Sequence, residues 1–272
     1  MLGPPSLAQQ QAGLLTASAG DAGTYSCRSS IAGAAWDDEA EDDIVNPSKL
    51  DHRKSSAVCA QCHAELVVKE DQNHFLPGTP LDTFADVVQY MPKDPPKWLA
   101  EALVDEPSML KDAFWRDGTM RVAGRDYNGM AITGCFTAGT MGCLTCHQMH
   151  GSDPNDQLNK AGASEQACKD CHPKEASDIE AHTHHAPDSE GSRCYNCHMP
   201  HTSYGLLKAI RSHTITSPDV GKDLAAGRPN ACNLCHLDQT MQWTADKLQD
   251  WYQISPPALS KDEKEVAASL LW

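Results

Sequence analysis

Long apolar runs are missing from this 272-residue chain. A helix that spans a membrane needs about 20 consecutive, mostly apolar residues, and no stretch approaches that length. Aromatic residues are scarce at 6%, whereas 18 glycines and 17 prolines indicate many turns and loops. The sequence therefore predicts no transmembrane span in this chain and only weak hydrophobic periodicity.

Basic residues are also few. The chain has 22 Lys and Arg against 37 Asp and Glu, which gives a formal charge of −15. A chain this acidic repels the phosphate backbone, so nucleic acid is excluded as an expected partner. A basic protein that docks transiently fits the charge better.

Cysteine, in contrast, recurs at one fixed spacing. Ten of the twelve cysteines lie in five CxxCH sequences. We number them motifs 1 to 5 in chain order: Cys59-Cys62-His63, Cys143-Cys146-His147, Cys168-Cys171-His172, Cys194-Cys197-His198 and Cys232-Cys235-His236.

CxxCH is typical of c-type haem attachment. Two cysteines three residues apart lie on one side of a helical turn, where they can form thioethers with one porphyrin, and the next residue can donate an imidazole to the iron. Zinc ribbons and disulfide scaffolds also use cysteine pairs, but neither explains a histidine directly after the second cysteine in all five motifs. We therefore predict five haem c groups and no separate catalytic residue.

Five further histidines are needed if every iron has two imidazole ligands, and eight remain outside the motifs. The expected second, or distal, ligands are His74, His150, His182, His185 and His213. His74 follows motif 1, and His150 lies just past an iron that His147 already serves. His52 and His201 remain alternatives, and His184 is expected at the surface.

Two of these assignments depend on predicted helices. A helix from Lys174 would project His182 and His185, at i and i+3, from one side toward different haems. A second helix over SYGLLKAIRSH, with Ser203 as N-cap, would end at His213.

Other elements are predicted from pattern alone. The insertion between motifs 1 and 2 contains two short amphipathic stretches, KWLAEAL and SMLKDAFW, and the turn signals Asp117-Gly118 and Asn128-Gly129. After motif 5, DQTMQWTADKLQDWY predicts a clear amphipathic helix. The expected fold class is mainly α with extensive loops and little β, organised around stacked haems.

The domain prediction has three parts. Residues 1–45 form a partly disordered extension, 46–255 a pentahaem domain with a cap at about 78–140, and 256–272 the start of a helix that looks cut off. Met1–Gly20 lacks the basic and apolar regions of a signal peptide. Because c-type haem is attached after export, we expect a mature or truncated chain, or a misassigned start, in a periplasmic or extracellular protein.

Two cysteines fall outside the motifs. Cys27 sits in CRSSI, in the register of a haem motif that has lost its second cysteine and histidine, so a decayed haem site is one hypothesis and an ordinary structural cysteine the other. Together with Cys135 it could form one disulfide, or both could be buried thiols.

The segment from CLTCHQMHG through CYNCHMPHTSYGLLKAIRSH to CNLCHLDQTMQWT resembles bacterial multihaem c-type cytochromes. These are related to the tetrahaem cytochrome of ammonia oxidisers and, more distantly, to hydroxylamine oxidoreductase and pentahaem nitrite reductase. The resemblance implies haems in parallel stacked and perpendicular pairs, mostly with two histidine ligands. It favours His150, His182, His185 and His213 as distal ligands. The CxxCK site of nitrite reductase is absent, which argues against that activity.

Electron transfer through the five haems is the leading functional prediction. Two imidazoles per iron give low-spin haem with little reorganisation on redox change. The alternatives are an oxidoreductase acting on a small nitrogen or sulfur compound at one open haem, and a subunit of a homo-oligomer, a filament or a larger redox complex.

Overall fold

The computed structural model describes residues 45–70, 74–90, 93–262 and 264–265. These residues belong to the second of two units into which the chain divides, Ile44–Trp272. The N-terminal extension, the Cys27 hypothesis and the tail after 265 lie outside the described residues. The proposed domain boundaries therefore stay predictions.

The described chain is mainly helical, with long irregular connections and little β structure, as predicted. Only the first and last helices reach 12 residues. The helices are α1 (His52–His63), α2 (Lys97–Asp105), α3 (Met109–Ala113), α4 (Asp126–Ala131), α5 (Gly134–Thr137), α6 (Cys143–Cys146), α7 (Lys160–Ala163), α8 (Gln166–Lys169), α9 (Pro173–Ser177), α10 (Ile179–Thr183), α11 (Cys194–His198), α12 (Val220–Ala226) and α13 (Met241–Tyr252). Short 3-10 turns occur at Pro47–Lys49, Leu81–Thr83, Glu190–Ser192 and Cys232–Leu234.

Two small antiparallel sheets complete the described secondary structure. Strand β1 (Leu66–Val68) pairs with β2 (Ala85–Val87), and β3 (Ser203–Gly205) pairs with β4 (Lys208–Ile210). Each sheet has only two strands, which are marginal alone. Both therefore depend on packing against the surrounding helices and loops.

The apolar core is divided into three small clusters. One joins α1 to the segment that carries α4 and α5, through residues such as Ala60, Tyr127 and Phe136. The second lies inside the insertion, where α2 and α3 bury Leu99 and Phe114. The third joins α12 to α13. Each of these clusters in the described part of the chain has only three to eight buried residues.

The predicted helix over SYGLLKAIRSH is wrong, because this segment is the β3–β4 hairpin. Its two-residue turn is Leu206-Leu207, with φ of +50° and +62°, and these side chains are 91% and 108% exposed. The apolar helical face that the pattern suggested is thus not buried. Backbone partners explain the outcome: the Tyr204 N–H donates to Arg121 O at 2.8 Å, and its carbonyl accepts from Ala123 N at 3.1 Å.

Asn128-Gly129 is also not a turn, since it lies inside α4. Asn128 is 1% exposed, and its side chain connects the residues that flank the two strands of the first sheet: it accepts from Glu65 N and donates to Val88 O, both at 2.7 Å. A Cβ on Gly129 would lie 2.8 Å from Thr214 N. This glycine therefore permits the close approach of residues 213–214 to α4.

Several expected elements are present. α2, α3 and α13 match the predicted amphipathic stretches, and Gly118 makes the predicted turn with φ of +86°. The helix expected from Lys174 is broken at Asp178, whose φ of −141° ends α9 and whose carboxylate caps α10.

Candidate haem-binding site

All five motifs adopt one helical turn. In three of them the N–H of the histidine donates to the carbonyl of the first cysteine at 2.9 Å: His147 to Cys143, His172 to Cys168 and His236 to Cys232. Motif 1 ends α1, and motif 4 forms α11. The local fold thus places the two sulfurs and the imidazole of each motif on the same turn, as covalent haem attachment requires.

Three attachment histidines have a second imidazole beside them. The ring centres of His147 and His213 lie 6.2 Å apart, with 28° between the ring planes. His182 and His198 lie 6.2 Å apart at 10°, and the rings of His185 and His236 are 5.9 Å apart at 39°.

These separations fit an iron between each pair. Two metal–imidazole bonds of about 2.0 Å, each extended by about 1.1 Å from the nitrogen to the ring centre, place the ring centres about 6.2 Å apart. Direct stacking would bring the rings much closer, as it does for His184 on Trp251 at 4.1 Å. The residues present therefore fit bis-histidine haem at motifs 2, 4 and 5.

Hydrogen bonds at Nδ1 explain how the rings are oriented. His147 Nδ1 contacts Asp156 O at 2.9 Å, His198 Nδ1 contacts Thr216 O at 2.9 Å, and His185 Nδ1 contacts Thr183 O at 2.6 Å. A carbonyl acceptor assigns the proton to Nδ1 and leaves the Nε2 lone pair available for a metal.

Burial supports the same protonation state. It lowers the pKa of His147 and of His198, in each case as the largest effect. Both rings therefore favour the neutral form that binds iron.

A carboxylate, rather than a carbonyl, faces two other ligand candidates. Asp126 Oδ2 lies 3.1 Å from His63 Nδ1, and Asp126 Oδ1 lies 3.1 Å from His213 Nδ1. The His63 contact is a hydrogen bond, whereas His213 Nδ1 lies at ion-pair distance from the carboxylate without making a hydrogen bond. Burial alone would raise the pKa of the Asp126 carboxyl, but its interactions with His213 and His63 hold this pKa well below the usual range.

The remaining candidates are placed differently. His74 and His150 are exposed, and neither stacks on an attachment histidine in the part of the chain that the structure describes. His52 contacts Phe136 O through Nε2 at 3.0 Å and packs edge-on against the Phe136 ring. His201 is exposed and contacts Ala209 O through Nδ1 at 3.3 Å. Across the described ranges, no second imidazole lies against His63 or His172.

Consecutive motifs are neighbours in space. Cys59 of motif 1 lies beside Cys143 of motif 2, and Cys168 of motif 3 lies beside Cys194 of motif 4, close enough for each pair to perturb the pKa of its thiols. Burial, and then the nearby Cys197 of motif 4, raises the pKa of Cys232 in motif 5 to about 11. Cys146 of motif 2 likewise acts on Cys168 of motif 3, so each motif lies near the next one in the chain.

Sequence reasoning missed Asp126, which opens α4. It did predict that the aromatics of α13 pack on a haem or on the cap, and the structure places three of them against histidines. The Trp243 ring is 5.0 Å from His236, Trp251 stacks on His184, and the Tyr252 hydroxyl donates to His182 O. The aromatic spacing of α13 signalled packing, but a lone aspartate in the insertion gave no signal of its role.

Comparison with known proteins agrees with the motif reading. Residues 136–177 match a family model described as the doubled CXXCH motif, and this range includes motifs 2 and 3. The chain thus contains a doubled motif of the kind that attaches c-type haem. No curated protein matches it.

A crystal structure of the outer cell wall cytochrome OcwA is similar to this chain at 18% identity, with a TM-score of 0.46. The similarity covers 73% of this chain and 52% of that one, so the chain spans about half the length of that cytochrome. None of the described helices is long and apolar enough to cross a membrane.

Proposed function

We propose that this chain is an electron-transfer protein that carries five covalent haem c groups, most of them held between two histidines. The ten motif cysteines would form the thioethers, and His63, His147, His172, His198 and His236 would be the proximal ligands. When bound, each haem supplies a one-electron couple at its iron.

The observation that carries this proposal is the set of three paired imidazoles at 5.9 to 6.2 Å. We assign His213, His182 and His185 as the distal ligands of motifs 2, 4 and 5, respectively. His74 stays the proposed distal ligand of motif 1, and His150 stays the proposed ligand of a haem next to that of motif 2. Two imidazoles on an iron leave no position for a substrate, which favours electron transfer over catalysis.

The arrangement of the motifs supports a relay rather than five independent centres. Neighbouring cysteines bring motif 1 beside motif 2 and motif 3 beside motif 4. Such contacts bring the edges of neighbouring cofactors close, and electron hopping requires short distances. The insertion supplies Asp126 and packs against α1, as expected of a cap beside the first sites.

Covalent haem attachment also implies export, so we place the protein in the periplasm or outside the cell. The charge of −15 favours basic redox partners with short-lived complexes.

A second function, catalysis at one open haem, has a specific observation in its favour. His63 and His172 have no second imidazole among the described residues, and the His63 side chain is 59% exposed. The same feature would accommodate a ligand from a neighbouring subunit, as in a filament or larger complex.

Ferric EPR and visible spectra of the haem-loaded monomer separate these functions. If every haem has two histidine ligands from its own chain, as electron transfer requires here, we expect five low-spin signals. One or two haems of the monomer could instead give a high-spin signal. If that signal persists when the protein assembles, it supports catalysis at an open haem. If it disappears on assembly, it supports a ligand supplied by a neighbouring subunit. High-spin signal at three or more haems contradicts the proposed ligand pairs.

A further inference from the structure

We propose that Asp126 is a positioning residue shared by two haem sites, and that its charge sets the haems of motifs 1 and 2 at lower reduction potentials than the other three. This inference rests on the proposed function, because it requires His63 and His213 to be axial ligands.

One carboxylate reaches both ligands. Asp126 is the first residue of α4, and its side chain is 23% exposed. Oδ2 faces the proximal ligand of motif 1, while Oδ1 faces the distal candidate of motif 2, each at 3.1 Å. Gly129, one turn along α4, allows the backbone at His213 to approach closely enough for the second contact.

The other ligands lack a charged acceptor. His147, His185 and His198 contact neutral backbone carbonyls through Nδ1. Within the described ranges, no other attachment or distal histidine contacts a carboxylate. Arg125, the adjacent cation, is directed to Glu65 at 2.6 Å and does not pair with Asp126.

A carboxylate at Nδ1 has a defined electronic effect. Its negative charge increases electron donation by the opposite ring nitrogen and stabilises the more positive ferric state. The contact at His213 is not a hydrogen bond, but at 3.1 Å it still places the negative charge beside that ring, and Coulombic stabilisation does not need a hydrogen bond. Electrons that enter at the motif 1 end would then move to haems of higher potential toward motif 5.

The test replaces Asp126 by asparagine, which keeps the shape and removes the charge. Changing one such partner typically alters a metal-site equilibrium ten- to hundredfold, which for a one-electron couple corresponds to about 59 to 118 mV. Spectroelectrochemical titration of D126N should therefore show two of the five potentials rising by about this amount. The other three should stay in place.

Asp156→Asn is the matched control. Asp156 contacts His147 only through its backbone carbonyl and its side chain is exposed, so D156N removes an equal but solvent-screened charge near motif 2 and leaves the acceptor of that histidine in place. The motif 2 potential should therefore rise much less than in D126N, and the other four should stay close to those of the native protein. A uniform shift of all five in D126N, no shift at all, or the same shifts in D156N would overturn the inference.

Native protein provides a second test that does not depend on the folding of the variant. The two imidazoles that face the Asp126 carboxylate should give two low-spin EPR signals with smaller g anisotropy than the other three. Five equivalent signals would overturn the inference but leave the proposed function intact. Lack of covalent haem, in contrast, would refute the proposed function itself.

Discussion

Replacing His182 by alanine should open one haem to an external ligand. The rings of His182 and His198 are 6.2 Å apart and within 10° of parallel. An iron between them would lie about 3.1 Å from each ring centre, so removal of one ring exposes the whole distal face of that iron. We expect one carbon monoxide bound per reduced chain, or about one fifth of the haem if five are attached.

The substitution should spare the fold. Tyr252 bonds to the backbone carbonyl of His182, which alanine retains. The assay is a carbon monoxide titration of the dithionite-reduced protein, followed in the Soret band. Added imidazole should compete with carbon monoxide, because it restores the missing ligand.

His184→Ala provides the control from the same segment. Its ring stacks on Trp251 at 4.1 Å and faces no attachment histidine, so the variant should bind no more carbon monoxide than the native protein. Equal binding by the two variants, or no new binding by His182→Ala, would refute the pairing of His182 with motif 4.

Three further variants test other parts of the structure. His185→Ala should open the haem of His236 in the same assay, and combination with the first variant should double the carbon monoxide bound; no increase would refute the second pair. Asn128→Ala should lower the free energy of unfolding by about 2 to 5 kcal/mol, since it leaves the Glu65 N–H and the Val88 carbonyl without their side-chain partner. Denaturant titration measures this change, and a loss below about 1 kcal/mol would contradict that role. Replacing Leu206-Leu207 by Asn-Gly should stabilise the hairpin by about 1 to 2 kcal/mol, because both positions have positive φ; a lower thermal midpoint would show that the exposed leucines have another structural role.

The sequence predicted the parts of the site that depend on local spacing. CxxCH defines a single helical turn wherever it occurs, so the proximal side of each site can be found without tertiary information. Helix α13 could also be predicted from the sequence, since its apolar residues repeat with helical periodicity and Thr240 caps its first turn.

Parts that depend on distant backbone partners were not predictable. SYGLLKAIRSH has helical spacing, but residues 121–123 provide hydrogen bonds that only an extended strand can use. Asn128-Gly129 resembles a hairpin turn. In the structure, however, the Asn128 side-chain amide bonds to backbone groups beside two strands, and Gly129 permits close contact with residues 213–214. Both errors arise from tertiary interactions that override a local pattern.

Asp126 shows the same limitation within the site. Its partners, His63 and His213, are far from it in the chain and come together only through the packing of α4 on α1 and on residues 213–214. Nothing in the local sequence distinguishes it from other acidic residues of the insertion. Distal ligands share this property, because the partner of each iron is determined by the fold rather than by spacing.

Intact mass under denaturing conditions, together with iron analysis, tests the central claim most directly. The full chain should be produced in a host that exports it and then attaches c-type haem. Five haem masses that stay attached to the unfolded chain, with five irons per chain, are the predicted result. A colourless chain that carries zinc or only disulfides would contradict the account.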